Sequence, residues 1–303
     1  MKIDQENFAQ LVNKAMQVEN VSHMRSVIEK ELLHYDILFA LEKGGLLDKL
    51  TFQGGTSLRL CYGGNRFSED LDFAGGNDFS SAMLADMKHC IEKYIGERYG
   101  LEVTVKEPKD LKQDPKYSEL SIDKWQIAVV TSPERKDLPK QKIKVEVANI
   151  PAYTREPQPL QINYDFLPDG YSDTLILTES LDEVMADKII SLPATTSHRD
   201  IWDLAWLQQQ GATLNMDLVK NKVSDYKLEH FNKMLKNFLE RLPDIVSSEA
   251  FIAEMKRFLP TDVFDRTLAQ DKFQVYLQNT LAKLFKTVSN ELLGNVTNNE
   301  FRM

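Results

Sequence analysis

Apolar and polar positions alternate along this chain in two rhythms, one of period near 3.6 and one of period 2. Between Val21 and Gly45, residues Val27, Ile28, Leu32, Tyr35, Leu38, Phe39 and Leu41 recur at helical spacing, and the run stops at Gly44-Gly45. This predicts one long opening helix. Leu50 to Gln53 then reads as a short strand, Gly54-Gly55 as a turn and Ser57 to Tyr62 as a brief helix. In SEDLDF, Ser68, Asp70 and Asp72 fall on one face of an extended segment, with Leu71 and Phe73 on the other. Ser80 to Tyr99 is amphipathic through Met83, Leu84, Met87, Ile91 and Ile95, and Gly100 closes it. Leu101 to Lys106, Trp125 to Thr131 and KIKVEVANI read as strands; in the last, Ile143, Val145 and Val147 alternate with Lys142, Lys144 and Glu146.

From Pro151 to Gly170 prolines and polar residues dominate, the composition of a linker. Beyond it the rhythm is helical: Leu181 to Leu192, Asp200 to Gln210 closed by Gly211, then further helices to the end. The expected organisation is an α+β domain over 1–160 and an all-helical domain over 161–303. Internal repeats, coiled-coil heptads and low-complexity tracts are absent from the sequence.

Composition changes this picture little. With 42% hydrophobic and 27% charged residues among 303, the chain has the make-up of a soluble globular protein. No apolar run approaches the ~20 residues of a membrane span, and MKIDQENFAQ carries acids and amides where a secretory leader is apolar. The expected location is the cytoplasm. Cys61 and Cys90 lack ligand-like spacing and are expected to be buried free thiols. The five histidines are too scattered for a metal site, although His198 beside Arg199 could sit near a nucleotide. A net charge of -9 argues against a nucleic-acid partner. The acidic excess lies ahead of residue 216, however, and Lys220, Lys222, Lys227, Lys233, Lys236 and Arg241 give the tail a basic bias, either a solvated helical face or a phosphate-binding patch.

The chemistry concentrates in QGGTSLRLCYGGNRFSEDLDF, residues 53–73. Carboxylates at i and i+2 of a strand point the same way, with Cα atoms about 6.5–7 Å apart. Asp70 and Asp72 can therefore converge on a hard divalent cation, Mg²⁺ or Mn²⁺, which typically takes one or two carboxylates plus substrate phosphates. Glu146, pointing away from the apolar face of its strand, is the candidate third carboxylate. Two such ions ~3.5–4 Å apart would flank an in-line phosphoryl displacement. Gly54, Gly55, Thr56 and Ser57 supply a backbone able to approach an anion closely, with a helix N-terminus behind it and two hydroxyl donors. Arg66 could reach the same charge bidentately. Singly, a Gly-Gly pair is merely a turn and D-x-D merely a polar stripe on a strand; together they follow the layout of a nucleotidyltransferase site.

The string GGTSL...RFSEDLDF resembles the signature of the AbiEii/AbiGii-like nucleotidyltransferases, which include the toxins of type IV toxin-antitoxin pairs. A second block, LDEVMADKIISL...HRDIWDLAWL, is similar to the family's other motif, a lysine-bearing helix followed by an R-D-x-x-D-L helix. Lys188 sits among Val184, Met185, Ile189 and Leu192, where a charge needs a partner; a phosphate would serve, as would an escape to water at the edge of the face. Asp200 and Asp203 share a helix face. Asp200 can support the helix N-terminus, which leaves Asp203 as the site candidate. Family members commonly carry a further basic residue between these elements, where this sequence has PATTSH, with Pro193 expected to end the helix and Thr195 in the basic position.

The resemblance implies a nucleotidyltransferase-fold mixed β-sheet with flanking helices, followed by a C-terminal helical domain. It also implies transfer of NMP from an NTP with release of pyrophosphate. The implied acceptor is RNA, with tRNA ends leading, and a neighbouring antitoxin protein is the implied partner. In that scheme Asp70, Asp72, Lys188 and Asp203 are catalytic; Gly54, Gly55, Thr56, Ser57, Arg66 and Lys188 bind nucleotide; Asp70, Asp72 and Glu146 hold metal. Two alternatives stay open: a catalytically silent nucleotide-binding protein acting through a partner, and a transferase that modifies a protein or small molecule.

Overall fold

The structure, a computed structural model, describes residues 5–17, 20–110, 122–135 and 137–300. It divides into two compact units, with the break in the chain between Glu179 and Ser180.

The first unit runs α1 (Phe8–Ala15), α2 (Arg25–Lys43), β1 (Thr51–Gln53), α3 (Gly54–Cys61), β2 (Leu71–Ala74), α4 (Met87–Tyr99), β3 (Val103–Lys106), β4 (Ile122–Val129), β5 (Gln141–Ala148), β6 (Glu156–Pro159) and β7 (Leu175–Thr178). Its seven strands form one mixed sheet in the order β3-β4-β5-β2-β1-β7-β6. β2 pairs parallel with β5, and β1 parallel with β7; the other neighbours are antiparallel. Helix α2 packs on α4 and β5, and α3 on β1 and β2. The register carries the core: Phe52 pairs with Phe73 and Phe73 with Val147, all buried. Because side chains alternate across a strand, the adjacent positions Gln53, Asp72, Glu146 and Lys124 form one polar row across β1, β2, β5 and β4.

The structure departs from the sequence reading in several places. The paired glycines are not a separate turn but the first residues of α3, which starts at Gly54 rather than Ser57. Ser80 to Tyr99 is interrupted: a 3-10 turn over Ser81–Leu84 precedes α4. The proline-rich stretch expected as a linker contributes β6, whose Pro157 and Pro159 are tolerated because the strand lies at the sheet edge. Strand β7, LILT, followed that stretch unrecognised. Of the two thiols, Cys61 is buried and its pKa pushed up to about 12 by desolvation, while Cys90 is half-buried; both are unpaired.

The second unit is helical: α5 (Leu181–Thr195), α6 (His198–Gln209), α7 (Met216–Asp225), α8 (Phe231–Val246), α9 (Glu249–Phe258), α10 (Thr261–Arg266) and α11 (Asp271–Glu300). Pro193 does not end α5 but lies within its last turn, and Thr196 caps the helix in a left-handed conformation, φ 57°. Lys222 does not belong to an exposed basic face. It is fully buried on α7, with its ammonium 2.8 Å from Glu183 and 3.2 Å from Asp187 of α5.

One buried network braces the first unit. Asp36 of α2, 0% exposed, accepts from Arg98 of α4 at 2.5 Å and from the Tyr171 hydroxyl at 2.5 Å, while Arg98 also reaches Glu6 at 3.0 Å. Burial raises the Asp36 pKa and the Arg98 guanidinium pulls it back down. Removing one partner strands the other charge in the interior. Arg98→Met is therefore expected to cost about 3–5 kcal/mol in urea unfolding, and Arg98→Met with Asp36→Leu to recover much of that loss.

Candidate active site

The segment that delivers Asp70 to the sheet is tied down by main-chain contacts from two helices. On α2, the His34 ring nitrogen Nε2 lies 2.9 Å from the Glu69 carbonyl oxygen. A carbonyl only accepts, so this nitrogen carries the proton. Burial lowers the His34 pKa, which keeps the ring neutral. One turn earlier, Lys30 pairs with the Glu69 carboxylate at 2.6 Å. From α3, the Thr56 hydroxyl donates to the Asp70 carbonyl at 2.5 Å. The Ser57 hydroxyl donates to the Gly54 carbonyl at 2.9 Å. Both hydroxyls, expected to face a phosphate, are buried and bonded to backbone carbonyls. What α3 presents at its start is the set of first-turn N–H groups that no intrahelical carbonyl accepts.

Gly54 explains itself. Its φ is +80°, and a Cβ there would stand 2.8 Å from Asp72 Oδ2. A Cβ on Gly55 would stand 2.3 Å from Arg66 Nη2. The two glycines therefore let the start of α3 lie directly against the Asp72 carboxylate on one side and the Arg66 guanidinium on the other. Arg66 is buried, and its Nη1 donates to the Phe67 carbonyl at 2.7 Å.

Asp70 ends one residue short of β2, and its side chain takes up the pairing its backbone does not make. Oδ1 accepts the Lys144 main-chain N–H at 3.0 Å, and Oδ2 lies 3.6 Å from the Lys144 ammonium. Asp72 and Glu146 are Cα partners across the parallel pair β2 and β5, so their side chains leave the same face. Glu146 meets Lys124 at 3.3 Å. The Lys144 pKa is raised, chiefly by Asp70, with Glu146 and Asp72 adding to it against the opposing effect of desolvation. All three carboxylates thus act on one ammonium group. Among the described residues no three His, Cys, Asp or Glu side chains form a ready metal cage.

In the second unit, Lys188 meets Asp200 at 2.5 Å and Asp203 at 3.1 Å, and Ser191 donates to the other Asp200 oxygen at 2.6 Å. The partner of this lysine is a carboxylate pair, and Asp200 does more than support the start of α6. His198 and Arg199 both turn to Glu254 of α9, at 2.7 and 3.6 Å.

Sequence reasoning missed Lys144, Lys124, Lys30 and His34. Lys144 did carry a signal, since it shares the strand face of Glu146; His34 and Lys30 carried none, lying on a helix remote in sequence. The strained glycine gives a direct check on this geometry. Gly54→Ala is expected to lower stability by on the order of 1–2 kcal/mol from the left-handed backbone alone, read as a shifted urea midpoint; an unchanged midpoint would mean that Gly54 does not hold that conformation.

A search of curated proteins returns no significant match. Among solved structures, the chain is similar to MenT4, a nucleotidyltransferase toxin from Mycobacterium tuberculosis H37Rv, with TM-score 0.56 and 18% identity over 94% of this chain and 93% of that one. It is also similar to a candidate nucleotidyltransferase from H. pylori, with TM-score 0.51 and 19% identity over 88% of this chain and 97% of that one. At such identities these likenesses speak for the fold. A family model described as nucleotidyl transferase AbiEii toxin, type IV TA system, matches residues 36–279. With most of its length inside that match, the chain belongs to the AbiEii nucleotidyltransferase toxin family.

Proposed function

We propose that this chain transfers a nucleoside monophosphate from an NTP to an RNA acceptor, tRNA ends being the leading case, and releases pyrophosphate. The observation that supports it most is the row in which Asp72 and Glu146 are register partners, with Asp70 beside them and the N-terminus of α3 against Asp72. Two or three carboxylates on one face, offering hard oxygen donors without a closed cage, suit Mg²⁺ or Mn²⁺ bound together with substrate phosphates. Asp70 and Asp72 would hold the ion and Glu146 would assist. Such an ion, when bound, neutralises charge on the triphosphate.

The protein's own contribution is mostly positioning and fixed charge. Backbone N–H groups of Gly54, Gly55 and Thr56 face the polyphosphate, and Arg66 stands behind Gly55. An acceptor oxygen forms its bond to the α-phosphorus as the bond to the bridging oxygen breaks. The displaced hydroxyl proton goes to a Glu146 carboxylate oxygen, and pyrophosphate leaves. On the resemblance of their motif, Lys188 and Asp203 are the second unit's candidate nucleotide contacts; Asp200 and Asp203 already pair with Lys188, so a bound phosphate would share or replace those contacts. The family's membership in type IV systems supports an antitoxin as partner, and NTP use supports a cytoplasmic setting. Among the described residues no helix is long and apolar enough to cross a membrane. Lys222 is withdrawn into the interior, whereas Lys227, Lys233, Lys236 and Arg241 stay exposed, so the RNA acceptor is supported by the family resemblance and by what remains of the basic bias.

Incubation of the full chain with each α-labelled NTP and total cellular RNA tests the reading. Asp70→Ala is expected to abolish label transfer while its thermal melt stays near wild type; retained transfer overturns the assignment. Magnesium-dependent NTP binding with no pyrophosphate release, across RNA and protein acceptors, would instead identify a silent nucleotide-binding protein.

A further inference from the structure

Lys144 has two contacts with one carboxylate, and they differ in kind. Its main-chain N–H holds Asp70 Oδ1 at 3.0 Å and is kept by any substitution at that position except proline, because it belongs to the backbone. Its ammonium stands 3.6 Å from Asp70 Oδ2 on a side chain that is 49% exposed. The first contact fixes where the carboxylate points; the second fills the place toward which it points with a movable positive charge. Around that charge stand Asp70, Asp72 and Glu146, while Lys124 faces Glu146 from β4. Three carboxylates against two lysines leave the cluster one charge negative.

We propose that Lys144 is a resident counter-ion of the carboxylate cluster, occupying the outward side of Asp70 until a divalent cation displaces it, so that it sets how tightly the free protein holds metal. This rests on the reading of Asp70 as a metal ligand. An exposed lysine paired with a carboxylate ordinarily contributes ~0–1 kcal/mol and is screened by salt. Here the carboxylate is immobilised by backbone, so the ammonium and an incoming cation compete for one fixed oxygen. Occupancy by the lysine keeps like charges from repelling when no metal is present. Its half-exposed stem lets it swing to solvent, or to a phosphate, when metal arrives. Metal held weakly by the free protein then binds with nucleotide, whose phosphates supply the remaining ligands.

The experiment is Mn²⁺ titration of the full chain without nucleotide, following the free-ion electron paramagnetic resonance signal, for wild type, Lys144→Met, Lys144→Arg and Asp70→Asn. Lys144→Met removes the competing charge and is expected to tighten Mn²⁺ binding on the order of tenfold at low salt, with a smaller gain at high salt. Lys144→Arg keeps the charge and should stay near wild type, and Asp70→Asn should weaken binding. If Lys144→Met binds Mn²⁺ equally well or more weakly while Asp70→Asn still weakens it, the counter-ion role is wrong and the metal assignment stands. If Asp70→Asn leaves Mn²⁺ binding untouched, the metal assignment fails and takes the inference with it.

Discussion

Strand β2 is held between β1 and β5 in a single register, and the chemistry of the first unit depends on it. A slip of one residue would send Phe73 to the polar face and Asp72 into the core. Burying side chains the size of Phe52, Phe73 and Val147 favours the observed pairing by roughly 1.5–3 kcal/mol apiece, whereas like charges placed side by side across strands are destabilising by less than about 1 kcal/mol. The apolar row therefore decides, and the polar row is carried along. Asp72 stands beside Glu146 because the residues one position along each strand pack together.

That imposed repulsion has to be offset, and the molecule offsets it the same way in both units. In the first, Lys124 and Lys144 stand over the carboxylates of the sheet. In the second, Lys222 lies between Glu183 and Asp187, and Lys188 between Asp200 and Asp203. The settings differ in what water can reach. Lys222 and Glu183 are sealed, with side chains 0% exposed, and act as a strut between α5 and α7. Lys188 keeps 12% of its side chain exposed.

Much of this was legible in the sequence because it is local. The period-2 alternation of SEDLDF and of KIKVEVANI, the Gly-Gly pair and the lysine on an apolar helix each announce themselves within a few residues. What stayed hidden depends on contacts distant in the chain. That Thr56 and Ser57 would spend their hydroxyls on backbone carbonyls, that Lys222 would be interior, and that His34 would fix the Glu69 carbonyl are outcomes of packing. Proline content misled: Pro157 and Pro159 read as a linker because proline bars a central strand, but the bar does not extend to an edge. Because β6 and β7 both join the sheet, the first unit runs on to Glu179.

The edge strand has a consequence for assembly. Each proline in β6 lacks a backbone donor, so that border of the sheet offers a broken ladder to any extended chain laid alongside it. Missing donors at Pro157 and Pro159 weaken strand addition along that border and leave side chains to carry more of any recognition there.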